Sequence, residues 1–553
     1  MDDVFLKRCS RVYEQLRAHL VIMDERGAEA GDILKWAQMI VTFCWVNHTG
    51  RFADGQVENI ILKIGAALPD DPTAGAKISV TSEPAALPGV PGRKILHVAT
   101  TLYSTGGHTR LLRNFIKNDA ESQHSLLVTD QVGEEIPAWL SDAVSGSGGE
   151  VTILPTTASF FSKAYSIRAA AQSDVDAIIL HHHPNDLVPV LALATARCPP
   201  VAVLNHADHV FWIGSTVADV VIDFREYSQE VTKERRFAPE THLLPQPLDV
   251  GAYNLSRAEA RRRLGIPDDQ VMLLSIGSAY KYRPTGAHNF FRTGIKILSQ
   301  NPEAHLYLIG VSWDDRVEYL REALHDRFHF LGVLDDPSLY LAASDLYLNG
   351  FPLGSGMALL EAAMSACLPL HAYDMSAPWL AFYDIALAGL VSSPRDESEY
   401  ISNICSLIRN RRVREDLAAE VRARARDYHS GDRWLGSLRA IYRHLEGLNH
   451  RPHRIPSSNC QRSGAEEVIG RLNESRQLSA PLLVELGRQY GAIMTLRDKT
   501  RLFMMSLKAR DTSLSGDDLK AWRQLFQEAL RLSGLRARDR VRNSIHYRLG
   551  FRS

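Results

Sequence analysis

Cysteine is sparse and scattered. Six residues (Cys9, Cys44, Cys198, Cys367, Cys405 and Cys460) occur in 553 positions, with no C-x-x-C pair among them. That pattern excludes a zinc ribbon or a disulfide framework and fits reduced thiols in a cytoplasmic protein. An excess of one charge is also lacking. With 63 Lys+Arg against 64 Asp+Glu the formal charge is -1, which excludes a chain-wide basic coat and makes nucleic acid an unexpected partner. No apolar run reaches the ~18–20 residues that would cross a bilayer. The first residues, MDDVFLKRCS, begin acidic and carry charge throughout, unlike a secretory signal. Repeats of solenoid period and low-complexity tracts are missing too. What remains is 45% hydrophobic and 23% charged, a globular composition, in a chain too long for one core, since single cores stop growing near ~250–300 residues.

The chain divides by its punctuation. Residues 1–80 read as a helical domain: Val4, Leu6, Val12, Leu16, Leu20 and Ile22 recur at helical spacing, and Ile33 to Phe43 continue it after a Gly-Asp break. TSEPAALPGVPGRK (81–94), with three prolines and two glycines, reads as an extended linker. Short apolar runs then alternate with helical stretches: KILHVATTLY, HSLLVTD, VTILP, DAIILHHHP, VAVLNHAD, DVVIDF and HLLPQP. The alternation restarts at 271 with VMLLSIGS, HLYLIGV, FHFLGV, DLYLNGF, LPLHAY and GLVSS (389–393), separated by helices such as NFFRTGIKILSQ and RVEYLREALHD. Continuous apolar strands between helices indicate parallel sheets covered on both faces. The expected fold is therefore α/β, with two tandem doubly wound Rossmann-like domains at 94–250 and 255–430. A helix at 431–450 follows, then a helical C-terminal extension at 465–553 whose basic tail is a solvated face or a partner site. Ligands of such sheets bind beyond the strands' carboxyl ends.

Four stretches there carry chemistry. STGGHTRLL (104–112) puts Gly106 and Gly107 in a tight turn before a helix start that favours anions, with His108 and Arg110 beside it, or is a simple strand-to-helix turn; it is not a G-x-G-x-x-G fingerprint. LHHHPNDL and NHADHVFW place His182, His183, His206, Asp208 and His209 at the ends of two strands. Histidine titrates near neutral pH, so these are candidates to take a proton from an acceptor. The H-x-D-H order lacks an i, i+4 helical frame and a cysteine, so no metal site is expected. IGSAYKYRP (276–284) offers Ser278, Lys281 and Arg283 to a diphosphate, or is a solvated basic loop. FPLGSGMALLEAA (351–363) converges Gly354, Ser355, Gly356 and Met357 on a helix start that would seat phosphate without a basic side chain, with Glu361 a turn further on, or it is a glycine-flanked turn that caps an ordinary helix.

These tandem domains, the GGHTR turn, the S-x-x-K segment and FP-x-G-S-G…LLEA together resemble a GT-B-fold glycosyltransferase over about 94–448. GDRWLGSLRAIYRHLEGL (431–448) is similar to the helix that such enzymes return to their first domain. Weaker similarity extends to the cytosolic bacterial N-glycosyltransferases and O-GlcNAc transferase. That group usually has Asp where Glu361 stands and favours Asn or Thr around Met357. In the sucrose- and glycogen-synthase relatives an earlier acid stands eight residues before, where this chain has Leu353. The resemblance implies that the second domain binds a nucleotide-sugar donor. Lys281 would hold the diphosphate, Ser355 and Gly356 would lie by the phosphates, and Glu361 would meet the ribose.

The expected activity is transfer of a hexosyl or N-acetylhexosaminyl group from a nucleotide-diphosphate donor, UDP first, to a hydroxyl or amide acceptor. The acceptor includes proteins and peptides as candidates. Lys281, Arg283 and the helix start at Gly354–Met357 would stabilise the leaving diphosphate. No D-x-D stands at a strand end, so neither metal nor another cofactor is expected. The base would come from the His206/Asp208/His209 loop or from His108, with Gly106, Gly107, Arg110, His182 and His183 on the acceptor side. A nucleotide-sugar epimerase of the same fold, or a scaffold acting through its flanking helices, are the rival readings. Sugar, acceptor, stereochemistry and oligomeric state stay open.

Overall fold

The structure is a computed structural model that describes residues 4–69, 79–82, 92–104, 107–284, 288–312, 326–373, 384–461 and 496–508. A few isolated positions (466, 469, 523, 524 and 527) are also described. Gly106, RVEYLREALHD up to His325, residues 83–91 of the expected linker, and most of the expected extension at 465–553 with its basic tail lie outside them.

Three helices open the chain, Val4–Glu25, Ala30–Val46 and Gly55–Ala66. The third begins where Asp54 accepts from Gln56 N at 2.8 Å, which satisfies one of the amides a helix start leaves unpaired. Their apolar side chains do not close on themselves: Leu16, Phe43 and Ile61 share one core with Leu96, Val98, Leu180 and Val203 of the first sheet. Each buried Leu, Ile or Phe contributes about 1.5–3 kcal/mol, so the boundary expected at 81–94 is bridged by packing. Glu58 reinforces the junction, its carboxylate accepting from Gly214 N, Thr216 N and Thr216 Oγ1, each at 3.1 Å.

The first sheet holds β1 (Ser79–Ser82), β2 (Lys94–Ala99), β3 (Gln123–Val128), β4 (Val151–Ile153), β5 (Ala177–His181), β6 (Val201–Leu204), β7 (Val220–Asp223) and β8 (Thr241–Leu243). Their order is β1-β4-β3-β2-β5-β6-β7-β8. All neighbours are parallel except β1, which runs antiparallel to β4. The start of the expected linker, Thr81 and Ser82, is thus the end of an edge strand. The second sheet holds β9 (Val271–Ile276), β10 (Ala304–Ile309), β11 (Phe328–Gly332), β12 (Leu346–Leu348) and β13 (Leu368–Leu370), ordered β11-β10-β9-β12-β13 and parallel throughout. This is the α/β, twice doubly wound architecture expected. One strand is corrected. GLVSS follows the 3-10 turn Ile385–Leu387 as a turn, because Gly389 takes φ +74, outside extended backbone.

A buried charge cluster fastens the second sheet. Asp345, before β12, accepts from Arg257 Nε at 3.1 Å, Arg261 Nη2 at 2.6 Å and Met272 N at 2.8 Å. After this unit the chain returns: the helix Gly431–Glu446 lays Trp434, Leu438, Ile441 and Leu445 against Ile95, Ile179 and Ala202 of the first sheet. The helix Leu496–Lys508 reaches the N-terminal helices, where Trp36 Nε1 donates to Asp498 Oδ1 at 3.1 Å. Among the described residues no helix is long and apolar enough to cross a membrane.

Candidate active site

Strand order reverses between β2 and β5 in the first sheet and between β9 and β12 in the second. At such switch points the flanking loops part and leave a crevice at the carboxyl ends. The GGHTR turn follows β2, the histidine run follows β5, S-x-x-K follows β9 and the Gly-Ser-Gly turn follows β12. Topology therefore brings together segments up to 250 residues apart.

On the first side, His108 stands in the first turn of the helix Gly107–Asn118 and stacks on His206 with ring centres 4.1 Å apart. His108 Nε2 is buried without a hydrogen-bond partner. His206 Nδ1 lies 3.3 Å from Leu204 O; a carbonyl only accepts, so in His206 Nδ1 carries the hydrogen and Nε2 keeps a lone pair. Burial, with His183 second, pushes His108 down to about 3, and burial lowers His206 as well, with His108 next. Both rings are neutral at neutral pH.

Behind them runs a chain that the sequence reading missed. His181 Nε2 meets His97 Nδ1 at 2.9 Å, His97 Nε2 meets His124 Nδ1 at 2.9 Å, and His124 Nε2 donates to Asp119 O at 3.0 Å. The accepting carbonyl at the end sets every tautomer: each neutral ring donates from Nε2, and His181 is left with a bare, buried Nδ1. Alternate residues pointing to one face of β2, β3 and β5 build this row, so it resembled core alternation in the sequence. Asp186 was also missed. It ties the strand ends by accepting from Thr100 Oγ1 at 2.8 Å and from Thr129 Oγ1 at 2.5 Å.

Other members of the histidine group do different work. His182 is buried, Nε2 2.7 Å from Ile213 O, against Gly214, where a Cβ would come 3.1 Å from the ring. Asp208 is held by Arg225 and Ser228 with His209 Nδ1 3.6 Å away, and Arg225 keeps its carboxyl well below the ordinary range despite burial. Such an ion-paired carboxylate is a poor proton acceptor and serves as an anchor. His183 lies beside His108, ring centres 5.8 Å apart, and under Trp45 of the second N-terminal helix at 6.3 Å.

On the second side, Ser278 precedes a 3-10 turn, Ala279–Tyr282, that swings Lys281 to the Gly-Ser-Gly corner. Lys281 Nζ donates to Gly354 O at 3.0 Å and Ser355 Oγ at 2.9 Å. Arg283 ends that turn, half-buried. Ser355 is the N-cap of the helix Gly356–Met364 but gives it no side-chain cap bond. The corner is shaped by Asn349, unnoticed in the sequence, whose Oδ1 accepts from Ser355 N at 2.9 Å. A Cβ on Gly354 would come 2.5 Å from its Nδ2. A lysine ammonium beside the positive end of a helix is a like-charge pairing, and an anion between them relieves it.

The two sides touch. Arg110 Nη1 donates to Glu361 Oε1 at 3.1 Å, and a Cβ on Gly107 would come 3.1 Å from Met357 Cγ. Burial raises the Glu361 carboxyl, with Arg110 and a bond from Tyr253 opposing. Among the candidates, Arg110 and Glu361, and Gly107 and Met357, are the pairs that meet between the two sides.

Two parallel doubly wound units facing across switch-point loops, closed by a returning helix, define the GT-B fold. Residues 270–410, which contain the second sheet, match the model of a family described as glycosyl transferases group 1. A glycosyltransferase from Rickettsia africae ESF-5 superposes with TM-score 0.50 at 12% identity, over 65% of this chain and 99% of its own. HepE of Anabaena, in complex with UDP and glucose, gives TM-score 0.48 at 17% identity, over 64% and 100% of the two chains. The O-GlcNAc transferase of Thermobaculum terrenum gives 0.46 at 14%, over 79% and 82%. No curated protein matches the sequence.

Proposed function

We propose that the protein transfers a sugar from a nucleoside-diphosphate donor held by the second lobe to a hydroxyl or amide acceptor admitted from the first. The observation that carries this is the Lys281–Ser355 contact at 2.9 Å beside the start of the helix Gly356–Met364. It is a seat for a diphosphate whose charge grows as the glycosidic bond breaks. Lys281 and the helix dipole supply the positive charge, so the transfer needs no metal. His108 and His206 supply neutral imidazoles for the proton that an inverting transfer removes from the acceptor. A polypeptide fits the acceptor side because Trp45, brought in by the N-terminal helices, extends its wall at His183. The cytoplasm is the compartment this reading implies.

The test is a thermal-shift series on the full chain with UDP-, GDP-, TDP- and CMP-sugars, followed by mass spectrometry of candidate acceptor peptides. A donor that binds must raise Tm by mass action. UDP-sugars come first because the GT-B resemblance names them. A flat response to all four classes overturns the proposal. Conversion of free donor without any acceptor would support the epimerase instead.

A further inference from the structure

Away from the crevice, two imidazoles and one carboxylate converge where the returning helix meets the last strand of the first sheet. Glu240 and His242 flank the start of β8, and residues two apart on an extended strand share a face. His444 arrives from the last turn of Gly431–Glu446. His242 Nε2 lies 2.9 Å from Glu240 Oε1, and His444 Nε2 lies 2.9 Å from Glu240 Oε2. The two rings are 4.9 Å apart, and one ligand atom of each residue falls within 4.8 Å of the other two. All three side chains are partly exposed, with relative areas of 27% for His242, 43% for Glu240 and 33% for His444, so an ion has an entry path.

We infer that Glu240, His242 and His444 form a binding site for a divalent transition-metal ion, zinc being the first choice. Imidazole nitrogen with one carboxylate is the donor set such ions prefer, with water completing the tetrahedron. Binding turns each imidazole to the tautomer with hydrogen on Nδ1, frees Nε2 for the metal, and replaces two N–H···O bonds by three metal bonds. The position excludes a part in sugar transfer. Glu240 stands at the amino end of an edge strand, whereas the ligand crevice lies at the carboxyl ends. The ion instead staples the returning helix to the first sheet. This inference is independent of the proposed activity.

The experiment uses the full, untagged chain, stripped with EDTA and titrated with zinc chloride by calorimetry, with Tm recorded alongside. One saturable site and a zinc-dependent rise in Tm are expected. His444→Gln and His242→Gln should each weaken zinc binding roughly ten-fold or more, whereas Arg443→Ala, next to the site, should leave it unchanged. Cobalt should give the visible absorption of a tetrahedral ion, lost in the same variants. No saturable binding, or equal binding in His444→Gln with the Tm of the stripped variant unchanged, overturns the inference.

Discussion

Arg110 of the first lobe and Glu361 of the second meet at 3.1 Å across the crevice, 251 positions apart in sequence. Glu361 is 7% exposed, and burial raises its carboxyl while Arg110 opposes that rise. The carboxylate form is therefore lost as pH falls. Arg110→Met removes the opposing charge, so the carboxyl should move further up and the acid limb of donor binding should shift to higher pH. Glu361→Gln should remove that limb. Donor-induced Tm shifts between pH 5 and 8 measure both, and an unmoved limb in Arg110→Met would show that the pair does not govern donor binding.

Lys281→Ala should weaken the response to nucleoside diphosphate and lower turnover by about 10²–10³-fold, the scale for one preorganised charge contact. Asn349→Ala should act in the same direction by loosening Ser355, whose amide it holds at 2.9 Å. Initial rates at saturating acceptor decide it. Rates within two-fold of the parent would place the leaving group elsewhere.

His108→Gln should lower kcat by about 10²–10⁴-fold, the range for general-base loss, with the donor-induced Tm shift kept. His206→Gln is the companion variant. Equal kcat in both would mean that the acceptor proton leaves without them, as in a retaining transfer. His97→Phe breaks the row behind His181 and should cost stability, because His124 and His181 would each keep a buried nitrogen without its partner.

Glu58 gives a pH test of the fold. Burial pushes its carboxyl up to about 7, against bonds from Gly214 and Thr216. A group raised in the folded state costs stability as pH climbs from its unfolded value, near ~4.3, through about 7, and the cost is full above that. Glu58→Gln keeps an accepting oxygen and loses the charge. Its Tm advantage over the parent should be small at pH 5 and larger at pH 8. A pH-independent difference would refute the raised carboxyl of Glu58 in the folded protein.

The parallel strands were legible as short apolar runs between helices, and the Gly-Ser-Gly corner because glycines flank a helix start, whereas the polar edge strand Ser79–Ser82 falls where the sequence reads as helix and linker. GLVSS misled, since Leu390 and Val391 are as apolar as a strand while Gly389 turns the backbone. Contacts made by long-range topology were not legible. Nothing local marks Asn349 as the prop of Ser355, nor Arg110 as the partner of Glu361. The row His97, His124 and His181 sits at positions where alternation predicts apolar core, so its chemistry emerges only once β2, β3 and β5 lie side by side. Asp208 shows the converse: its sequence neighbours suggested a base, and Arg225, seventeen residues on, takes the carboxylate.

The returning helix bears on how the chain matures at the ribosome. The seat for Trp434 is built from residues 95 to 244, yet its occupant is translated only after the whole second lobe. Asn59 likewise waits for Ile455, which it holds through bonds of 2.9 and 3.1 Å. The amino-terminal half thus emerges with an uncovered greasy strip and is completed last, so nascent-chain arrest before residue 431 should leave it chaperone-bound while arrest well beyond 461 should not.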